Sequence, residues 1–303
     1  MIIVDLHSDS LTKVSGNVGL IKSYNFSSEY PHLQLAAAYV PSRGREPLLR
    51  RSELLHYFNV YLSELARLGI AAPSCAEDIY AFEKTGGRAV IFSVEGGAGL
   101  FADSRELSVL AESGLRVFGM AWDKNELAAS AFDECDTGLS DEGRALLSQL
   151  DGLGVISDVS HLSDKSFYQL MEASSYPVIA THSNFREICK TKRNLTLDMA
   201  RSIVSRGGVI GLSLYPPHLS ESDEATEDDI LRHVDFALEH LGEGALAFGF
   251  DIDGTDGKYP KGISEVRSIH DQVVELLLRH YSEKTVERIA GRNALDFLKS
   301  NLL

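Results

Sequence analysis

The sequence predicts an α/β fold of the (β/α)8, TIM-like barrel class. Eight short apolar runs, several nearly continuous as in RAVIFSV, PVIATH and GGVIGLSL, alternate with stretches of helical period. Continuous runs of that length suit strands buried on both faces of a parallel sheet. Eight strand–helix units in one chain argue for a closed barrel. A further pattern is chemical: histidines and carboxylates fall at the ends of the runs, where such barrels carry their sites.

The predicted strands are 2–4, 35–40, 89–93, 115–121, 155–158, 178–181, 208–214 and 246–250. The longest predicted helix runs from Pro47 to Leu68, with Leu48, Leu55, Phe58, Leu62 and Leu65 on one side. Others are expected at 105–112, 142–150, 163–171, 197–204 and 228–241, with Ser163 and Thr226 as capping residues. The stretch 264–302 reads as consecutive helices, and the acidic segment 220–229 as a solvated loop and helix start. With no internal repeat and no linker composition, residues 1–303 read as a single barrel domain with C-terminal helices.

Forty-four acidic against 29 basic side chains give the 303-residue chain a formal charge of −15. That field repels phosphate backbones and argues against nucleic-acid partners. A hydrophobic content of 44% excludes disorder as the main description. Three scattered cysteines, Cys75, Cys135 and Cys189, form neither a disulfide framework nor a thiolate metal site. The start MIIVDLHSDS lacks a basic segment followed by a long apolar one, and no run reaches the ~18 apolar residues of a membrane span. The expectation is a cytoplasmic protein without a membrane partner. No GxGxxG or P-loop pattern points to a nucleotide cofactor.

Six residues of metal-ligand or acid–base type follow five of the predicted strands. They are His7 and Asp9 in DLHSD, Glu95 in SVEGG, His161 in SDVSH, His182 in IATHS and Asp251 in FGFDIDG. A lone H-x-D pair or a lone strand-end histidine is weak evidence; their joint placement is not. Residues two apart on a strand share a face, so His7 and Asp9 are able to chelate one ion. Imidazole with carboxylate and no cysteine suits zinc or another borderline divalent ion. Two ions need a bridging carboxylate, and Glu95 is the best placed. Gly96 and Gly97 give the backbone a tight path beside it.

Taken together, DLHSD, SVEGG, SDVSHLS, ATHS, KRN and FGFDIDG resemble, in order and spacing, the renal (membrane) dipeptidase family of zinc peptidases, and IAGRNALDFL resembles its closing helix with Asn293 at the G-x-N position. The resemblance covers about residues 2–300 and implies a (β/α)8 barrel of the metal-dependent hydrolase type that cleaves dipeptides, often with a D-residue at the C-terminal side. It implies two zinc ions per chain. His7 and Asp9 look like ligands of the first, Glu95 like the bridge, His161 and His182 like ligands of the second. Asp251 resembles the acid–base carboxylate, and Arg193 the arginine that receives the substrate's carboxylate. A homodimer is a further family expectation. One departure stands out: where the mammalian-type pattern has a histidine that contacts the reacting carbonyl, this chain has Trp122, in MAWDKNE. An indole donates one hydrogen bond but neither accepts one nor shuttles a proton, so Trp122 is taken as substrate-binding only. A second reading keeps the metals and cleaves another small amide, such as an N-acyl amino acid or a lactam.

Asp253 reads as a turn or supporting residue. His56, His233, His240 and His280 read as surface or helix-packing residues; His32, His218 and His270 are given no role.

Overall fold

The computed structural model describes residues 1–11, 28–100, 104–222 and 224–302. Its strands are β1 (Ile3–Ser8), β2 (His32–Tyr39), β3 (Arg88–Glu95), β4 (Leu115–Gly119), β5 (Ile156–Asp158), β6 (Val178–Ile179), β7 (Ile210–Leu212) and β8 (Leu246–Phe248). All are parallel to their neighbours in the order β6-β5-β4-β3-β2-β1-β8-β7. The ring closes between β6 and β7 through a parallel bridge of Ala180 and Ile210, where Ala180 N donates to Val209 O (3.2 Å) and Gly211 N to Ala180 O (2.7 Å). The fold is therefore the (β/α)8 barrel that the apolar runs predict.

The helices are α1 (Pro47–Leu68), α2 (Ala76–Thr85), α3 (Ser104–Glu112), α4 (Asp141–Leu153), α5 (Asp164–Ala173), α6 (Leu197–Ser205), α7 (Pro216–Leu219), α8 (Glu227–His240), α9 (Ile269–Leu278), α10 (Glu283–Glu287) and α11 (Asn293–Asn301). Pro47 opens α1 and Gly69, left-handed at φ 63°, ends it. Ser163 caps α5 by accepting from Ser166 N (3.1 Å), and Asp229 accepts from Thr226 N (2.7 Å) at the start of α8. Asp229 is buried in that role, while the flanking acidic residues stay largely solvated; Asp223 lies outside the described residues.

Two expectations are corrected. The buried stripe of α1 is Leu54, Phe58, Tyr61 and Leu65, while Leu48 and Leu62 face solvent. The sheet decides this: Phe58 and Tyr61 pack on Phe92 of β3 at ring distances of 4.9 and 5.2 Å. The second is α2, absent from the sequence reading. It buries only Ile79 and Phe82, too short a stripe to show a period.

One core fills the barrel. Val4, Leu6, Leu33, Leu35, Ala89, Ile91, Val117, Ile156, Ile179, Val209 and Ala247 form it, with Ile79, Phe82, Leu295 and Leu298 from α2 and α11. Residues of the other strand parity, such as Val90, Phe92 and Val94, pack against the helical ring. Asn293 ties α11 to the start of β8 by donating to Glu243 O (2.7 Å) and Leu246 O (2.8 Å). Among the described residues no helix is long and apolar enough to cross a membrane.

Candidate metal centre

The site begins at an irregularity in β1. Asp5 pairs with Gln34 and Ser8 with Ala36, so three steps of β1 oppose two of β2. Such a bulge re-aims side chains. Asp5 faces His270 of α9 (Oδ2 to Nε2, 2.7 Å), and its Oδ1 accepts from His7 N (3.1 Å) and Phe250 N (3.0 Å). His7, two residues on, stacks on the ring of His182 with centroids 3.6 Å apart. Asp5 thereby clasps the backbones that carry His7 and, one residue before it, Asp251. His270, given no role from sequence, is fully buried as its partner.

The other candidates converge from the strand ends. Glu95 closes β3; His161, His182 and Asp251 each lie three residues past β5, β6 and β8. His161 and Asp251 hold positive φ of 69° and 61°, as do Asp253 (72°) and Asp256 (54°) beside them. Non-glycine residues in that region are strained and cluster at functional sites. Gly96 and Gly97 do what the sequence reading assigns them. A Cβ on Gly96 (φ 76°) would sit 2.6 Å from Val40 O, and one on Gly97 2.0 Å from the Phe118 ring. Gly254 leaves room for two carboxylates: a Cβ there would lie 2.2 Å from Asp251 Oδ1 and 2.4 Å from Asp9 Oδ2.

Glu95 stands in the middle. Its Oε2 is 3.6 Å from His7 Nε2; its Oε1 is 2.8 Å from His161 Nε2 and 3.3 Å from His182 Nε2. His161 and His182 bring their Nε2 atoms to 2.9 Å, and Asp9 Oδ1 and Asp251 Oδ1 are each 3.9 Å from His7 Nε2. Three sets of ligating atoms fit within 4.8 Å: His7–Asp9–Glu95, Glu95–His161–His182 and His7–His182–Asp251. His7 Nε2, Asp9 Oδ1 and Glu95 Oε1 are buried and make no hydrogen bond among the described residues. Most buried polar atoms in folded proteins are paired. Nitrogen and oxygen donors aimed at shared points, with no thiolate among them, fit divalent cations.

A second layer fixes the imidazoles. Thr181 Oγ1 donates to Asp158 Oδ2 (2.5 Å). The hydroxyl then accepts from the Nδ1–H groups of His182 (2.9 Å) and His7 (3.3 Å). Both rings therefore turn an Nε2 lone pair toward the cluster, the arrangement that metal-ligating histidines need. Asp158 is itself held by Ser160 N (2.9 Å) and Thr181 N (3.0 Å). Sequence reasoning missed Thr181 and Asp158, although both stand inside quoted motifs, ATHS and SDVSH. A hydroxyl next to a candidate ligand was the available signal.

Crowding sets the charge state. Burial raises Glu95 to about 8, with Arg193 opposing, and Asp251 to about 7, with His7 opposing and Glu95 adding to the rise. Burial, then repulsion from Glu95, also raises Asp9. Burial holds His161, His182 and His218 well below the usual imidazole range, helped by the nearby Arg193 charge. Burial thus favours the protonated forms of Asp9, Glu95 and Asp251 and the neutral rings of His161 and His182, and a cation would exchange with the acid protons.

Arg193 is buried beside His182 and Ser183. Its terminal nitrogens donate to Ser183 Oγ (2.9 Å) and to the carbonyl of His182 (2.7 Å), while Nε makes no hydrogen bond among the described residues. Trp122 lines a cavity of ≈ 590 Å³ above the cluster, together with Asp9, Glu95, Phe132, His161 and Asp251. Tyr215 and His218 line it too, and neither was singled out from sequence for this. His233 is buried and packs as foreseen, accepting from Phe185 N (3.3 Å).

A family model of the membrane dipeptidases, peptidase family M19, matches residues 2–301. The chain belongs to that family. Membership makes it a hydrolase of the metallo-dipeptidase class. An uncharacterized protein encoded in the pqqA 5′ region of Klebsiella pneumoniae is 28% identical over 223 residues, 70% of this chain and 82% of that protein. The dipeptidase tcpJ of Claviceps purpurea is 28% identical over 228 residues, 74% of this chain and 53% of that protein. This chain thus spans about half the length of that fungal relative. Among solved structures, a metallo peptidase from Rhodobacter sphaeroides, liganded with a phosphinate mimic of L-Ala-D-Ala, superposes with a TM-score of 0.86 at 22% identity, covering 100% of this chain and 99% of that one. That likeness speaks to the fold.

Proposed function

We propose that the protein is a binuclear dipeptidase with two zinc ions per chain. The observation that carries this reading is the division of Glu95, whose Oε2 faces His7 and whose Oε1 faces His161 and His182. His7 and Asp9 would hold one ion, His161 and His182 the other, with Glu95 shared. When bound, such ions make water a stronger acid near neutral pH and polarise a carbonyl. Asp251, whose Oδ1 lies 3.9 Å from His7 Nε2, takes the proton of the attacking water and returns it to the leaving amine, the task of a positioned carboxylate. Its carboxyl also groups with His7 and His182, their ligating atoms within 4.8 Å of one another, so it would stay close to the reacting atoms. Arg193, immobilised by Ser183 and the His182 carbonyl, offers its remaining N–H groups to the substrate's carboxylate. A fixed cation that couples to Glu95 and Asp251 leaves room for a single residue on the carboxyl side of the scissile bond. The L-Ala-D-Ala mimic in the Rhodobacter protein supports acceptance of a D-residue at the C-terminal side.

The test is reconstitution. Protein stripped with a chelator is titrated with zinc, ion content is measured, and L-Ala-D-Ala, L-Ala-L-Ala and N-acetyl-D-Ala are assayed. We expect two ions per chain and cleavage of the dipeptides alone. Exclusive cleavage of the acylated amino acid would replace this reading with the small-amide one.

A further inference from the structure

One wall of the cavity is aromatic and built to stay in place. Trp122 packs against Tyr39 at 5.0 Å between ring centroids and against Phe132 at 5.6 Å. Both Trp122 and Phe132 lie beside the ring of His161, at 6.0 and 5.6 Å. Phe132 is 53% exposed, yet its turn is held on several sides. Phe132 N donates to Ser130 Oγ (3.1 Å), Ser130 N to Asp133 Oδ2 (2.8 Å) and Asp133 N to Ser130 O (3.1 Å). Ala131 N donates to His161 O (2.8 Å), which ties the turn to the candidate ligand itself. A second cavity of ≈ 630 Å³ shares Arg43, Asp123 and Phe132 with the first, so Phe132 stands where the two meet.

We propose that this wall seats the side chain of the substrate's amino-terminal residue and selects dipeptides in which that residue is apolar, aromatic above all. The inference rests on the dipeptidase reading and deepens it. Arg193 holds the carbonyl of His182 and the aromatic wall flanks the ring of His161, the two residues whose Nε2 atoms share Glu95 Oε1. A dipeptide whose carboxylate meets Arg193 and whose scissile carbonyl lies over Glu95 must extend its first residue across His161. There it meets ring faces, which reward apolar and aromatic contact. Of the charged side chains lining the same cavity outside the ligand set, Asp123 and Asp256 outnumber Arg43, which disfavours an acidic side chain and suits the free ammonium of that residue.

The experiment measures kcat/KM of the zinc-loaded full chain on L-X-L-Ala and L-X-D-Ala series, X being Gly, Ala, Leu, Phe or Asp. We expect Phe and Leu to exceed Gly by about tenfold or more, chiefly through KM, with Asp lowest. In Phe132→Ala the Phe-to-Gly ratio should fall about tenfold, and in Phe132→Leu the Leu-to-Gly ratio should persist. Turnover with a flat preference across X, or a Phe132→Ala loss equal for every X at unchanged zinc content, overturns this inference and leaves the dipeptidase reading standing. Failure of zinc-loaded protein to cleave any dipeptide overturns both.

Discussion

Thr181 carries much of the site's order in one hydroxyl. By giving its proton to Asp158 and accepting from both His182 and His7, it settles the tautomer of two rings at once. Thr181→Val keeps the shape and removes that control. Zinc affinity should fall about 10–100-fold, read by competition with a metal indicator. Asp251 tests a different property. Asp251→Asn keeps the size and one acceptor but cannot carry the proton, so kcat should drop by about 10²–10⁴-fold while zinc content stays at the wild-type level. Loss of both together would mean that Asp251 serves chiefly as a ligand. At this scale the ligand candidates were legible because their chemistry is rare at strand ends. Thr181 and Asp158 were not, because a threonine before a histidine is ordinary until a third residue is known to touch it. His270 was hidden for the same reason: its partner, Asp5, lies 265 positions away.

The elements deliver these side chains through close backbone approach. Where β6, β7 and β8 meet, a Cβ on Gly211 or on Gly249 would lie 1.9 Å from Thr181 O. The two glycines let the barrel close at the residue that orients His7 and His182. Gly211→Ala should destabilise the protein by about 1–3 kcal/mol in denaturant titration and weaken zinc binding as well. An alanine that costs stability but leaves zinc affinity untouched would separate closure from ligand positioning. The eight strands were readable because burial on both faces leaves unbroken apolar runs. The face of α1 was not: leucines on more than one side of the helix offered rival stripes, and contact with Phe92 chose Phe58 and Tyr61. Nor could a period-two rule foresee the bulge in β1, which lets Asp5 and His7 serve different surroundings.

For the molecule as a whole, the buried groups link stability to pH and metal. In the metal-free fold Glu95 holds its proton up to about 8 and Asp251 to about 7, whereas the unfolded chain releases them near 4.5 and 3.8. The folded state therefore binds more protons across that range, and its stability falls as pH rises toward 8. His32, His161, His182 and His218 act oppositely. They stay neutral in the fold while the unfolded chain protonates below 6.5, so their effect is a loss of stability as pH drops below that value. Above 6.5 only the carboxylates act. Chelator-treated protein should thus lose thermal stability from pH 6.5 to 8, and the rise in Tm on adding zinc should be larger at pH 8 than at 6.5. A zinc effect independent of pH would refute the proton exchange. The lone tryptophan gives a second readout: Trp122 lies 6.0 Å from His161, so its emission should change with zinc and saturate with the ions bound.

The amino-acid sequence by itself determined the barrel and the identity of the ligand candidates. Apolar runs encode strands locally, and imidazoles and carboxylates at their ends have few other reasons to gather. Only the tertiary structure decided which groups orient them: the Thr181–Asp158 pair, the Asp5–His270 clasp and the glycines at the closure. Those are contacts between distant segments, set by register and close approach once the sheet has closed, and no local pattern in the chain records them.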